Sequence, residues 1–167
     1  MTITLTSERI NDLINEGVLK ILKKSQKNNL NSNYFFTPNI GVTLYEAKVK
    51  YVDSKSITFA FDKYKNITLY YLIKHINTCL QNEIRKQHIE LNDKKLYDLF
   101  SEEDETFYIR CYLPNYNGKY FIKVDDGKRF YLPKLGCVYN NILVEIRNVW
   151  GKDCKYGFNI ELKSVTV

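Results

Sequence analysis

Apolar residues recur along this chain at two spacings, one helical and one alternating. Ile10, Leu13, Ile14, Val18, Ile21 and Leu22 repeat at helical spacing behind a Thr6-Ser7 cap, which predicts a helix over residues 7–27. Lys20, Lys23 and Lys27 fall on its opposite side, as a solvated stripe or as a surface for a partner. The polar run 26–33 ends it as a loop or linker. Residues 34–40, 42–52 and 57–61 then read as strands, the last two joined as a hairpin through Asp53, Ser54 and Lys55. A second helix over 67–87, capped by Asn66, gathers Leu69, Leu72, Ile73, Ile76, Leu80 and Ile84 on one face that belongs in a core. The acidic run 101–105 reads as a solvated connector, with an internal mimic of nucleic acid as the alternative. Beyond it strands dominate, over 107–113, 119–124, 128–132, 137–149 and 156–167.

These elements predict one mainly β domain, a β-rich α+β chain, with an N-terminal helix and linker over 1–33 and a β-structure over 34–167 that holds the second helix near 67–87.

Strand side chains alternate between faces, so each late strand divides in two. Phe107, Ile109, Cys111 and Leu113 share one face, and Tyr108, Arg110 and Tyr112 share the other. Tyr120, Ile122 and Val124 oppose Lys119, Phe121 and Lys123, while Phe130 and Leu132 oppose Arg129 and Tyr131. A three-residue loop at 125–127, with Gly127 at the positive-φ position, would pair Ile122 with Phe130 and Phe121 with Tyr131; a two-residue Asp126-Gly127 turn would mix the faces. The three-residue loop is the expectation. It sets Lys123 opposite Arg129, a like-charge pair that a phosphate would relieve. Tyr108, Arg110, Tyr112, Lys119, Phe121, Lys123, Arg129 and Tyr131 would then form one sheet face of cations interleaved with rings. Single-strand binders combine such groups: cations follow the backbone and rings stack on bases. The plain alternative is packing, with cation stems lying over tyrosines beneath a covering element.

Composition tempers the charge argument. Lysine, asparagine, isoleucine, tyrosine and phenylalanine make 76 of 167 residues, a bias an AT-rich genome produces without any ligand, so the net charge of +6 says little by itself. Its distribution says more: residues 1–105 carry 15 Lys and Arg against 14 Asp and Glu, whereas residues 106–167 carry 10 against 5.

Chemistry of other kinds finds little support. Cys79, Cys111, Cys137 and Cys154 are scattered without a zinc-ligand spacing and read as buried free thiols. His75 and His88 show no nucleophile partner by spacing, Asp125, Asp126 and Asp153 belong to turns, and no phosphate-cradling glycine loop occurs. The expectation is a binding module rather than an enzyme, with no catalytic residues, cofactor or metal. No apolar run is long enough for a membrane span and the N-terminus lacks a signal-peptide pattern, which predicts a soluble intracellular protein.

The stretch Gly136-Cys137-Val138-Tyr139-Asn140-Asn141-Ile142-Leu143-Val144-Glu145-Ile146-Arg147-Asn148-Val149-Trp150, followed by Tyr156-Gly157-Phe158-Asn159-Ile160-Glu161-Leu162, resembles the closing part of single-stranded DNA-binding proteins of phages and large DNA viruses. The resemblance implies an OB-like antiparallel Greek-key barrel with one N-terminal helix and one helix inserted between strands. It also implies low-specificity binding of single-stranded DNA, or RNA, in replication, recombination or repair, with replication proteins as further partners. The strand count exceeds five, which leaves an extended barrel or another sandwich open. Trp150 reads as a core or barrel-closing residue ahead of a stacking platform. A structural or assembly subunit with an aromatic protein-binding surface is the rival function.

Overall fold

In the computed structural model, which describes residues 2–25, 31–120, 122–123, 130–131 and 134–166, the chain is mainly β with two α-helices. In chain order the elements are β1 (Thr2–Thr4), α1 (Ser7–Asn15), β2 (Lys20–Ser25), β3 (Asn31–Val52), β4 (Ser56–Asp62), α2 (Ile67–Gln87), a 3-10 turn (Ile89–Leu91), β5 (Lys95–Leu96) and β6 (Ser101–Glu103). They continue as β7 (Thr106–Tyr112), β8 (Asn115–Tyr116), β9 (Lys119–Tyr120), β10 (Ile122–Lys123), β11 (Phe130–Tyr131), β12 (Val138–Lys152) and β13 (Lys155–Thr166).

Five strands close into an OB-like barrel in the order β3, β4, β7, β13, β12 and back to β3. Four of the seams are antiparallel; the fifth, β13 against β7, is parallel and rests on one register position, Glu161 beside Tyr112. The barrel is therefore closed but splayed along that seam. Alternation fills its interior: Ile57, Phe59 and Phe61 of β4 and Phe107, Ile109 and Cys111 of β7 are buried. Leu69, Ile73, Ile76, Leu80 and Ile84 of α2 join the same hydrophobic cluster, as do Ile10 and Leu13 of α1. Among the described residues no helix is long and apolar enough to cross a membrane.

The inserted helix has the bounds its periodicity predicts, but Asn66 makes no side-chain cap bond. Asp62 does the work one turn earlier, its Oδ1 accepting from the backbone N–H groups of Tyr64 and Lys65 while its carbonyl accepts from Asn66.

The first helix is shorter than its apolar spacing suggests. It stops at Asn15 because Gly17 takes a φ of 67°, with Gly17 N donating to Ile14 O and Val18 N to Leu13 O, the paired bonds of a Schellman motif. Residues 20–25 then form a strand against β3, so Lys20 and Lys23 belong to a sheet edge rather than a helix face. Gln87 pins this edge to α2, accepting from Ile21 N and donating to Leu19 O.

The two early strands split at Gly41 are in fact one 22-residue strand. Gly41 is where β1 and β12 flank β3: a Cβ there would stand 2.7 Å from the Val144 carbonyl oxygen and 2.9 Å from Thr2 Cγ2. Gly41→Ala should cost about 1–3 kcal/mol by overpacking, read as a lowered melting temperature.

The acidic run is a strand, not a connector: β6 pairs with β7 through a turn in which Asp104 has a φ of 53°. Glu102 is engaged by α2, accepting from the Tyr70 hydroxyl and lying 3.6 Å from Lys63 Nζ. That hydrogen bond, followed by burial, pushes the Tyr70 phenol up to about 12.

The expected strand over 119–124 is met in two described pieces, Lys119–Tyr120 and Ile122–Lys123, which pair in different sheets. Asn117 and Gly118, at φ 53° and 82°, turn β8 into β9 as a two-residue hairpin. The β10–β11 hairpin pairs Ile122 with Tyr131 and Lys123 with Phe130, which corrects the expected register. It is the alignment a two-residue turn gives, and a one-residue slip exchanges the two faces. The proposed Lys123–Arg129 pair is therefore not part of this ladder.

The cysteines also differ from expectation: Cys111 is buried and Cys79 half-buried, but Cys137 and Cys154 are exposed.

Candidate nucleic-acid interface

The outer face of β7 carries Tyr108, Arg110 and Tyr112 in alternation, as the sequence pattern predicts. What gives these side chains room is the neighbouring strand. Their partners on β4 are Ala60, Thr58 and Ser56, so three large side chains stand beside three small ones. Arg110 is aimed by local bonds: Nε donates to Ser56 Oγ at 3.1 Å, Nη2 lies 3.5 Å from Asp53 Oδ2, and the guanidinium sits 5.6 Å from the Tyr112 ring centroid. Backbone N–H donation from Lys55, with help from Ser56, lowers the Asp53 carboxyl to about 2. Because this folded-state value is depressed, the turn's contribution to stability is present above the ordinary carboxylate range and is lost as pH falls toward 2. A carboxyl NMR titration of Asp53 should show a midpoint well below 3.8.

Trp150 joins this face against expectation. Along β12, Ile142, Val144 and Ile146 point inward; the register then shifts between Ile146 and Asn148 against both β3 and β13. Arg147 is the extra residue of this bulge, and past it Val149 is fully buried while Trp150 is 47% exposed. A bulge reverses the phase of alternation and re-aims the side chains that follow. Trp150 is thus an exposed ring, not a core or barrel-closing one. Opposite it stands Gly157, where an added Cβ meets nothing within 4 Å.

A groove follows from these placements. Tyr108, Arg110, Tyr112, Trp150, Gly157 and Phe158 line a cavity of about 620 Å³ with Tyr97 and Phe100 at its edge, over the splayed seam between β7 and β13. Phe158 is backed by Phe36, the rings stacked at 6.4 Å, and Lys95 Nζ lies 4.7 Å from the Tyr97 ring. A second cavity of about 470 Å³ shares Tyr112 and Trp150 and continues over Asn33, Asn148, Asn159 and Glu161. Tyr112 and Trp150 stand at the junction of the two. Gly157→Val would fill the groove without touching the barrel wall, so it should reduce ligand affinity at unchanged melting temperature.

Of the residues singled out by sequence, Tyr108, Arg110 and Tyr112 come together here. Lys119 is exposed in β9 and is not among the residues lining either cavity. Lys123 and Tyr131 lie in the two-stranded β10–β11 sheet, whose β10 runs close to β13 and of which the backbone is described, and Phe121 and Arg129 lie outside the described residues. Among the described side chains, the β7 portion of the expected face shares its cavity with Trp150, Phe158, Tyr97 and Phe100. The last two come from the segment between α2 and β7, which no strand pattern links to β7.

Two clusters of reactive side chains lie elsewhere. His75 and Cys79 are four residues apart on α2, a helical pairing that the sequence reading missed. His75 Nε2 lies 3.5 Å from Cys79 Sγ and 3.0 Å from Asn11 Oδ1. The same ring nitrogen meets both groups, so no relay through the imidazole exists, and burial raises the thiol. Glu145 and Glu161 oppose each other across β12 and β13, with Arg147 Nη1 at 3.2 and 3.8 Å from them, and Thr2 Oγ1 donates to Glu145 at 2.6 Å. This arrangement ties β1 to the barrel wall. Among the described residues no group of three or more His, Cys, Asp or Glu side chains is placed to hold a metal.

No protein-family model matches the chain, and no curated protein matches it significantly.

Proposed function

We infer that this protein binds single-stranded nucleic acid, DNA first, through the groove over the β7–β13 seam, with little sequence preference along most of the bound tract. The observation that carries the reading is the convergence of Tyr108, Arg110 and Tyr112 with the bulge-turned Trp150 on one open wall. On OB-type barrels the face of the second and third strands is the usual oligonucleotide surface, and β4 and β7 hold those places here. Exposed rings offer stacking to any base, while Arg110 and Lys95 supply charge beside them. Nothing in the groove resembles a major-groove reading helix. The reading places the protein with the single-strand binding proteins of phages and large DNA viruses, non-enzymatic, without cofactor, acting in replication, recombination or repair alongside replication proteins.

Titration of labelled oligo(dT) and of duplex of equal length at matched salt tests it. Single strand should bind more tightly, with affinity falling as salt rises because each neutralised phosphate releases counterions. Arg110→Ala should flatten the log–log salt slope by roughly 0.7 to 1. Equal or tighter duplex binding would exclude the reading.

An assembly subunit is the second reading, favoured by Tyr64, Ile67 and Tyr71, large side chains exposed around the start of α2. A protein contact of that kind would respond far less to salt.

A further inference from the structure

We propose that the amide-lined end of the groove is a base-reading subsite that takes one nucleobase bearing an exocyclic amino group, adenine, cytosine or guanine, and disfavours thymine. The inference rests on the single-strand reading above and adds to it a position where sequence matters.

The subsite is built on the outer wall of β3, β12 and β13. Asn33 stands beside Trp150, Asn148 beside Asn159, and Glu161 beside Tyr112. Trp150 and Tyr112 are the rings that line it, so a base passing from the aromatic half of the groove can remain stacked as it enters. Polar groups then face its edge. Asn148, only 7% exposed, is held in an amide chain: its Nδ2 donates to Asn33 Oδ1 at 3.5 Å and its Oδ1 accepts from Asn159 Nδ2 at 3.1 Å. That chain leaves Asn159 Oδ1 without a donor among the described residues. A buried acceptor without a partner is costly and rare enough to call for an explanation. Glu161, beside it, meets cations among the described residues at 3.5 Å (Lys163 Nζ) and 3.8 Å (Arg147 Nη1), so its carboxylate retains accepting capacity.

The Asn159 oxygen and the Glu161 carboxylate therefore place acceptors at this end of the groove. Cytosine N4, adenine N6 and guanine N1 and N2 all present N–H groups that a carboxylate and an amide oxygen can accept from, as glutamate accepts from cytosine N4 and asparagine pairs with adenine. Thymine presents a single N–H between two carbonyl oxygens, which would face the Glu161 carboxylate unfavourably. The carboxylate also repels phosphate, which keeps the backbone toward Arg110 and turns the base edge inward.

The test uses the wild-type chain with a thymidine tract carrying one central replacement. One cytosine, adenine or guanine should tighten binding by about tenfold over the all-thymidine strand, the scale of one good base-edge contact. One N4,N4-dimethylcytosine, which has lost both donors, should bind like thymine. Glu161→Gln should reduce the cytosine advantage to under about twofold, taking most of the base-edge contact away, and, with the carboxylate's repulsion of thymine and phosphate removed, should not weaken oligo(dT) binding. Equal affinity for all these strands, or an advantage that survives in dimethylcytosine or in Glu161→Gln, would overturn the subsite and leave single-strand binding standing. Absence of binding to every strand would overturn the reading on which it rests.

Discussion

Trp150→Ala is expected to weaken oligo(dT) binding by about 5- to 150-fold, the equivalent of one lost base–ring stack of about 1–3 kcal/mol. The ring is half exposed and stands where the two parts of the groove meet, so it supplies stacking area at little cost in folding. Its melting temperature should stay near that of the wild type. Removing Arg147 from the chain should have a related effect by another route: without the extra residue the alternation of β12 runs on unbroken, and Trp150 is sent toward the interior. Affinity measured by anisotropy beside a thermal melt separates these outcomes from simple unfolding. Unfolding of Trp150→Ala at a much lower temperature would mean that the ring is a packing element after all.

The opposite profile is expected on the far side of β13, in β7. Phe107 is fully buried, stacked on Phe61 at 4.9 Å and tilted against Tyr70 at 5.4 Å, so Phe107→Ala should cost about 3–5 kcal/mol through the cavity it leaves. For a chain of this size that corresponds to roughly 6–20 °C in melting temperature. Oligo(dT) affinity of the folded fraction should be unchanged. Tyr108→Ala, its immediate neighbour on the outer face, should do the reverse, losing affinity at nearly constant stability. The pair therefore tests the in–out alternation of β7 at adjacent residues.

Legibility in the sequence follows physical lines. The α2 boundaries and the two faces of β7 were readable because each is set by local periodicity over a long, regular run. The β2 strand was hidden since Ile21 and Leu22 keep helical phase with Ile10 and Leu13, and only the positive φ of Gly17 ends the helix between them. Trp150 was misplaced because a bulge is invisible to an alternation argument, which assumes one residue per register step. The β10–β11 hairpin failed for a related reason: two registers separated by one residue both gave plausible turns, and keeping apolar and polar faces apart favoured the one that the ladder does not use. The amide chain of Asn33, Asn148 and Asn159 joins residues more than a hundred positions apart, so no spacing rule reaches it.

The central claim is that a single strand lies in the groove beside Trp150. This is the sole tryptophan of the chain, so its emission reports that location alone. Titrating the protein with oligo(dT) at two salt concentrations should quench Trp150 fluorescence saturably, with the midpoint moving to higher oligonucleotide at higher salt. Emission unchanged while labelled oligo(dT) binds would place the strand elsewhere on the molecule, and no binding at either salt would contradict the account altogether.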